Sequence, residues 1–185
     1  MNNEELFVSI IDKCRKSETK PKLSSKIKQW LGKDIPQSLC IRIGNYLEPL
    51  FHQVTGTEDD LKQLDEFDNY RGIWYDNEFH QIDFIKITPS CIFHREIKCN
   101  LDLDRGKKRD TLNREVQIVK ALQAKFMRPV NSCIFCPFLD KSRKISGLGI
   151  VEGLPEFLAL FDATMTVEEF NALGRSSQVY EALTK

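Results

Sequence analysis

Between Gln81 and Asn100 the chain carries two strand-like runs split by a short turn signal. Gln81-Ile-Asp-Phe-Ile-Lys-Ile87 alternates in part, Thr88-Pro89-Ser90 interrupts it, and Cys91-Ile-Phe-His-Arg-Glu-Ile-Lys-Cys99 follows. β-Branched and aromatic residues on either side of such a tip read as a β-hairpin. With Pro89 and Ser90 at the tip, Thr88 falls opposite Cys91, and the same register sets Asp83 opposite Glu96. Side chains alternate along a strand, so His94, Glu96 and Lys98 share one face while Phe93, Arg95 and Ile97 share the other. One face is fully chargeable and is expected to be solvated.

The flanking segments read differently. Glu4 to Cys14 repeats Leu6, Phe7, Ile10, Ile11 and Cys14 at helical spacing. Lys16 to Ser25 is polar, contains Pro21 and reads as a loop; a short helix over Lys26 to Leu31 ends near Gly32. A longer helix starts at Pro36, carries Leu39, Ile43, Leu47, Leu50 and Val54, and stops at Gly56; Pro49 should kink or split it. Glu58 to Asp68 is acidic and reads as loop or surface helix. Gly72 to Tyr75 is strand-like. Leu112, Val116, Val119, Leu122 and Phe126 mark an amphipathic helix, and Val130 to Phe138 a further strand. Pro155 to Phe161 forms a short helix, and Thr166-Val-Glu-Glu169 is a capping box for a helix stopped at Gly174. Ser176 or Ser177 caps a last helix. The order implies one α/β domain over 1–185: a helical part over about 1–56, a core over about 41–138, and C-terminal helices over about 154–184.

Charge narrows the function classes. The 185 residues hold 27 basic and 27 acidic side chains, so tight unaided DNA binding is not expected. The charges are segregated, however. Arg95 to Arg128 holds ten basic residues against five acidic, whereas Thr57 to Asp83 holds two against nine. Ile145 to Lys185 holds two basic against six acidic. No segment offers the roughly 20 apolar residues of a membrane span, and the polar start lacks a signal-peptide pattern, so a cytoplasmic location with no membrane contact is expected.

The hairpin suggests a specific chemistry. Opposed residues have Cβ atoms about 5 Å apart, so the carboxylates of Asp83 and Glu96 can reach one cation. Two facing carboxylates repel unless a cation separates them or one is protonated. Mg²⁺ suits the pair because it binds through one or two carboxylates and keeps sites for water and phosphate; Mn²⁺ can substitute. Lys98 stands where it can orient or deprotonate an attacking water. The strand then runs into Arg105-Gly-Lys107-Lys108-Arg109, a basic cluster suited to phosphates.

Asp83, twelve intervening residues and Glu96-Ile-Lys98 match the Asp…(Asp/Glu)-x-Lys signature of the PD-(D/E)xK nuclease superfamily, although Ile82 stands where the Pro would be. The continuation Asn100-Leu-Asp-Leu-Asp104 with Lys107 and Lys108 resembles a subgroup of type II restriction endonucleases. With the chain length, the resemblance is greatest to the small catalytic subunits of heterodimeric type IIS enzymes. The resemblance implies a restriction-endonuclease-like core, a small mixed β-sheet flanked by helices. It implies a prokaryotic, Mg²⁺-dependent nuclease with Asp83, Glu96 and Lys98 at the site, cutting one strand of double-stranded DNA beside a larger sequence-reading subunit. An upstream helical acid often completes such sites; Glu48 is the candidate and Glu66 its substitute. His94, Arg105, Lys107, Lys108 and Arg109 are candidate DNA contacts. A stand-alone homodimeric restriction or repair nuclease, or a silent nuclease-like assembly module, is the alternative.

Other signals carry less. Cys133-Ile-Phe-Cys136 lacks the second pair a structural zinc site needs, and the cysteines read as small buried hydrophobes. His80 is read as flanking the site, and Trp74 and Tyr75 as core or rim aromatics. Gly147-Leu-Gly149 is no phosphate-binding loop. The acidic stretch after Leu154 is read first as a cover for the sheet and second as a docking face.

Overall fold

Apolar residues at spacings of three and four wind the N-terminal part into helices that bury one stripe each. The computed structural model describes residues 2–14, 25–32, 37–101 and 103–184. Over these it shows α1 (Asn3–Cys14), α2 (Ser25–Leu31), α3 (Gln37–Thr55) and α4 (Glu58–Leu61). Three short strands follow: β1 (Asp65–Phe67), β2 (Tyr70–Tyr75) and β3 (Glu78–Gln81). Next come β4 (Phe84–Ile87), β5 (Ile92–Ile97), α5 (Arg105–Phe126) and β6 (Val130–Phe135). β7 (Arg143–Ile145), β8 (Gly149–Glu152), α6 (Leu154–Leu160), α7 (Val167–Arg175) and α8 (Ser177–Thr184) complete the chain. The described residues are thus mixed α/β with two small sheets. No helix among them is long and apolar enough to cross a membrane. The expected loop over Lys16 to Ser25 lies largely outside the described residues, as does Pro36.

The larger sheet has the order β4-β5-β6-β8-β7. β4 and β5 form the antiparallel hairpin, with Phe84 opposite Arg95 and Ile87 opposite Ile92, the register read from the sequence. Gln81 does not belong to it; it pairs with Gly72 in the smaller sheet. β5 and β6 run parallel, which requires a crossover, and α5 supplies it. Both faces of the sheet are covered. On one, Phe84, Ile97 and Phe135 pack with Phe51 of α3 and Phe157 of α6. The Phe135 and Phe157 rings stack at 4.0 Å, and each buried aromatic contributes about 1.5–3 kcal/mol. On the other, Ile85 and Ile92 meet Ile118, Ala121 and Leu122 of α5. The C-terminal stretch is therefore a cover: Leu154, Phe157, Leu158 and Phe161 face the core.

Several sequence expectations need correction. Pro49 does not split α3, which runs as one 19-residue helix. Burial of Tyr46, Leu47, Leu50, Phe51 and Val54 along the same face outweighs the lost backbone bond. The acidic segment after Glu58 is one helical turn and then strand β1. α5 begins at Arg105, not near Leu112, because the Asp104 side chain accepts from the Lys107 amide and caps it. Its inward face is also rotated. Glu115, Ile118, Ala121 and Leu122 are buried, while Leu112 and Val116 are exposed.

The capping box at Thr166 and Glu169 forms as read, and Ser176 accepts from the Val179 amide to cap α8. Gly174, however, does not stop α7, which continues to Arg175. It is a packing glycine: a Cβ there would lie 2.5 Å from the Trp30 carbonyl oxygen. Gly174→Ala should cost about 1–3 kcal/mol through this overlap, read as a lower urea midpoint. A neutral or stabilising effect would contradict the packing.

Candidate active site

The hairpin register brings the expected acids together at its open end. Asp83 directly precedes β4 and lies one step beyond the Phe84–Arg95 pair, across from Glu96. Its Oδ2 accepts a 3.0 Å hydrogen bond from the Ile97 amide, which fixes the carboxyl against β5. Lys98 and Glu96, two residues apart, share a face as alternation requires, and the Lys98 ammonium hydrogen-bonds Glu96 Oε1. The Arg114 guanidinium, from α5, donates to the same oxygen. Glu96 Oε2 is buried and has no hydrogen-bond partner.

This face is not solvated, contrary to the expectation. His94 and Glu96 are each 0% exposed and Asp83 is 8% exposed, because the crossover helix closes over them. Burial and neighbouring charge shift the carboxyls. Desolvation first, and then the Glu96 charge, push the Asp83 carboxyl up to about 6. Glu48 on α3 is raised well above its ordinary value by burial and by the charges of Asp83 and Glu96. Burial works to raise Glu96 too, but Lys98 and Arg114 overcome it and hold that carboxyl low. Glu48 thus senses the site electrostatically. Glu66 does not belong to it: it sits on β1, paired with the Arg71 guanidinium at 2.5 Å.

Three carboxyls crowd two cations here, and one carboxyl oxygen is orphaned. Those oxygen donors fit a hard divalent cation, which would let Asp83 and Glu48 ionise.

The sign of the resulting pH dependence follows directly. A carboxyl raised in the folded state binds its proton more tightly folded than unfolded, so its stabilisation exists at low pH and is lost as pH rises. For Asp83 the loss runs from 3.8 through about 6, and Glu48 acts in the same direction. Glu96, held low, acts oppositely at more acidic pH. Asp83→Asn keeps an acceptor for the Ile97 amide and removes the repulsion. At pH 8, without metal, it should therefore melt higher than the wild type, by roughly 2–4 °C for each kcal/mol relieved. It should also bind Mg²⁺ more weakly. Thermal unfolding with calorimetry checks both, and a lower Tm with unchanged Mg²⁺ affinity would overturn the assignment.

The candidate DNA contacts separate into two groups. Arg105, Lys107 and Arg109 are exposed on the first turns of α5, between five and nine residues before Arg114, or about 8–14 Å along the helix axis. Lys108 is tethered, its ammonium donating to the Ser146 carbonyl at 2.9 Å. His94 cannot meet a phosphate at the surface, since it is fully buried. Its Nδ1 lies 2.9 Å from Ser132 Oγ, which donates to Glu115 Oε2 at 2.5 Å. His80 stands on β3 opposite Ile73, in the smaller sheet. Trp74 is 47% exposed and packs edge-on against Phe67 and Phe79, a surface aromatic cluster. Cys14, Cys91 and Cys133 are free thiols, and burial pushes the Cys133 thiol up to about 12.

Arg114, Glu115 and Ser132 escaped the sequence reading. Arg114 lay on what the apolar repeat marked as the open side of α5, Glu115 was a charge within the apolar stripe, and Ser132 stood inside an apolar strand. Arg95, placed from the sequence on the face with Phe93 and Ile97, is a buried ion-pair partner. It lies under the sheet, 2% exposed, with Nε 2.8 Å from Glu152 Oε2 and the guanidinium over the Phe161 ring. No protein-family profile matches the chain, and no characterised protein matches it in sequence.

Proposed function

We propose that this protein is a Mg²⁺-dependent DNA endonuclease with a restriction-endonuclease-like core. In this reading it is the strand-cleaving subunit of an enzyme whose larger partner reads the DNA sequence. One observation carries the reading: Asp83, Glu96 and Lys98 converge at the open end of the β4–β5 hairpin, with Glu48 close enough to feel both acids. A parallel crossover through α5 then presents exposed Arg105, Lys107 and Arg109 beside that point.

Each side chain has a task in this reading. Asp83 and Glu96, with Glu48 beside them, hold the cation. When bound, Mg²⁺ supplies Lewis-acid stabilisation of the phosphate and a more acidic water. Lys98 orients that water and offsets charge developing on the scissile phosphate. Arg114 keeps Glu96 ionised at the same time. The water oxygen forms the new bond to phosphorus as the bond to one ester oxygen breaks; the attacking water gives one proton to solvent, and the departing oxygen takes one up from solvent. Arg105, Lys107 and Arg109 grip the flanking backbone, which positions the duplex without reading sequence.

The balanced total charge and the acidic surface over Thr57 to Asp83 favour a partner for target recognition. A cleavage assay with Mg²⁺, with and without the larger subunit, tests that point. Cutting should require the partner. Sequence-specific cutting by this chain alone would overturn the partner and favour a stand-alone homodimeric nuclease. Partner binding with no cleavage by the pair at this chain's strand would favour the silent assembly module.

A further inference from the structure

We propose that His94, Glu96 and Glu115 form a second divalent-cation site, selective for imidazole-binding ions of the Zn²⁺, Mn²⁺ and Co²⁺ class. It stands on the opposite flank of Glu96 from Asp83 and does not rest on the nuclease reading.

Ligand atoms of these three side chains lie within 4.8 Å of one another, and all three residues are buried. Each also carries an orphan: His94 Nε2, Glu96 Oε2 and Glu115 Oε1 are buried without a hydrogen-bond partner. A lone unsatisfied buried polar atom costs about 1–3 kcal/mol, so three on adjoining side chains call for a shared ligand.

The hydrogen bonds around the group define what that ligand is. Ser132 Oγ donates its one proton to Glu115 Oε2. At its other contact the same oxygen must accept, so His94 Nδ1 carries the imidazole proton. The tautomer is thereby fixed, and Nε2 is left with a bare lone pair. Glu96 Oε1 is saturated by Lys98 and Arg114, which leaves Oε2 as its free oxygen. One nitrogen and two carboxylate oxygens, all lone-pair donors, suit a cation, whereas a single water has only two protons for the three acceptors. A histidine whose second nitrogen is held by a hydroxyl–carboxylate relay is oriented as metal-ligating histidines are.

The nitrogen ligand separates this site from the all-oxygen donors around Asp83, which suit Mg²⁺. With tetrahedral metal–ligand bonds of about 2.0–2.2 Å, ligand atoms sit about 3.3–3.6 Å apart, so binding draws the group together by up to about 1.2–1.5 Å. A groove of about 760 Å³ borders the group on the Glu115 side. It runs between α5 and strands β6 and β8, and Glu115 and Ser132 line it beside Leu112, Val116 and Ile150. Because Glu96 belongs to both flanks, an ion held by His94 competes for it with an ion held by Asp83.

Co²⁺ is the probe: the full-length chain is titrated while visible absorption is recorded, and Zn²⁺ is then added to displace it. Wild type should bind Co²⁺ with a ligand-field band that Zn²⁺ removes. Glu115→Gln should weaken binding about 10–100-fold, while Asp83→Asn leaves this band intact. Ser132→Ala, which frees the histidine tautomer, should also weaken it and serves if Glu115→Gln does not fold. Failure of wild type to bind Co²⁺ or Zn²⁺ would overturn the site. So would retention of full affinity in folded Glu115→Gln and Ser132→Ala, or loss of the band in Asp83→Asn. None of these outcomes depends on DNA cleavage, so failure here leaves the nuclease reading to its own assay.

Discussion

Lys98→Ala is expected to lower Mg²⁺-dependent cleavage by the assembled enzyme about 10²–10³-fold, the range for losing one positioned donor that stabilises charge in the transition state. The protein should remain folded. Lys98 is 27% exposed on its side chain, so truncation opens no deep cavity. Glu96 keeps its second cation, Arg114, whose guanidinium donates to the same carboxylate oxygen. Rate and stability should therefore part company: a large fall in the single-turnover rate with a urea midpoint near that of the wild type. A rate within a factor of about three of wild type would remove Lys98 from the chemistry, because a structural lysine on this rim would have no such effect.

The second large effect concerns the scaffold beneath the site. Glu152→Ala should cost about 3–5 kcal/mol, because it leaves the Arg95 charge buried without its carboxylate. Arg95 is 2% exposed, and Glu152 meets it through two oxygens, at 2.8 Å to Nε and 3.2 Å to Nη2. Its other partners, the His94 and Asn131 carbonyls and the Asn131 side chain, are neutral. They cannot replace the charge. The double variant Arg95→Met, Glu152→Leu should regain most of the loss, since it removes both ions together. Urea unfolding of the single and double variants checks this. A loss below about 1 kcal/mol in Glu152→Ala would place the pair with weak surface bridges.

What was legible in the sequence was local. The hairpin register follows from a Pro-containing tip and from alternation, and both act over neighbouring residues; Asp83 therefore faces Glu96 as read. The capping box at Thr166 is equally local. The smaller sheet carried a readable signal that went unread: Asp68-Asn69 and Asp76-Asn77 each take positive φ at both residues and join paired strands as two-residue turns.

The rest depended on long-range packing. Whether the polar face of β5 is wet or dry is decided by where α5 lands, and the α5 repeat pointed at Leu112 and Val116. The helix instead turns Arg114 and Glu115 inward, because Glu96 and Ser132 await them there. Arg95 looked misplaced on an apolar face because its partner lies 57 residues away on a strand the sequence did not reveal. Glu48 could be nominated by resemblance, but its electrostatic coupling to Asp83 needed the packing of α3 against the hairpin.

The most direct measurement maps the cut strands on a duplex target. The larger subunit is assembled with wild-type chain or with Glu96→Gln, and both are given Mg²⁺. Wild type should yield a double-strand break. Glu96→Gln should yield a nick alone, in the strand the partner cuts. A double-strand break from the Glu96→Gln assembly at the wild-type rate would contradict a cutting site at Asp83, Glu96 and Lys98.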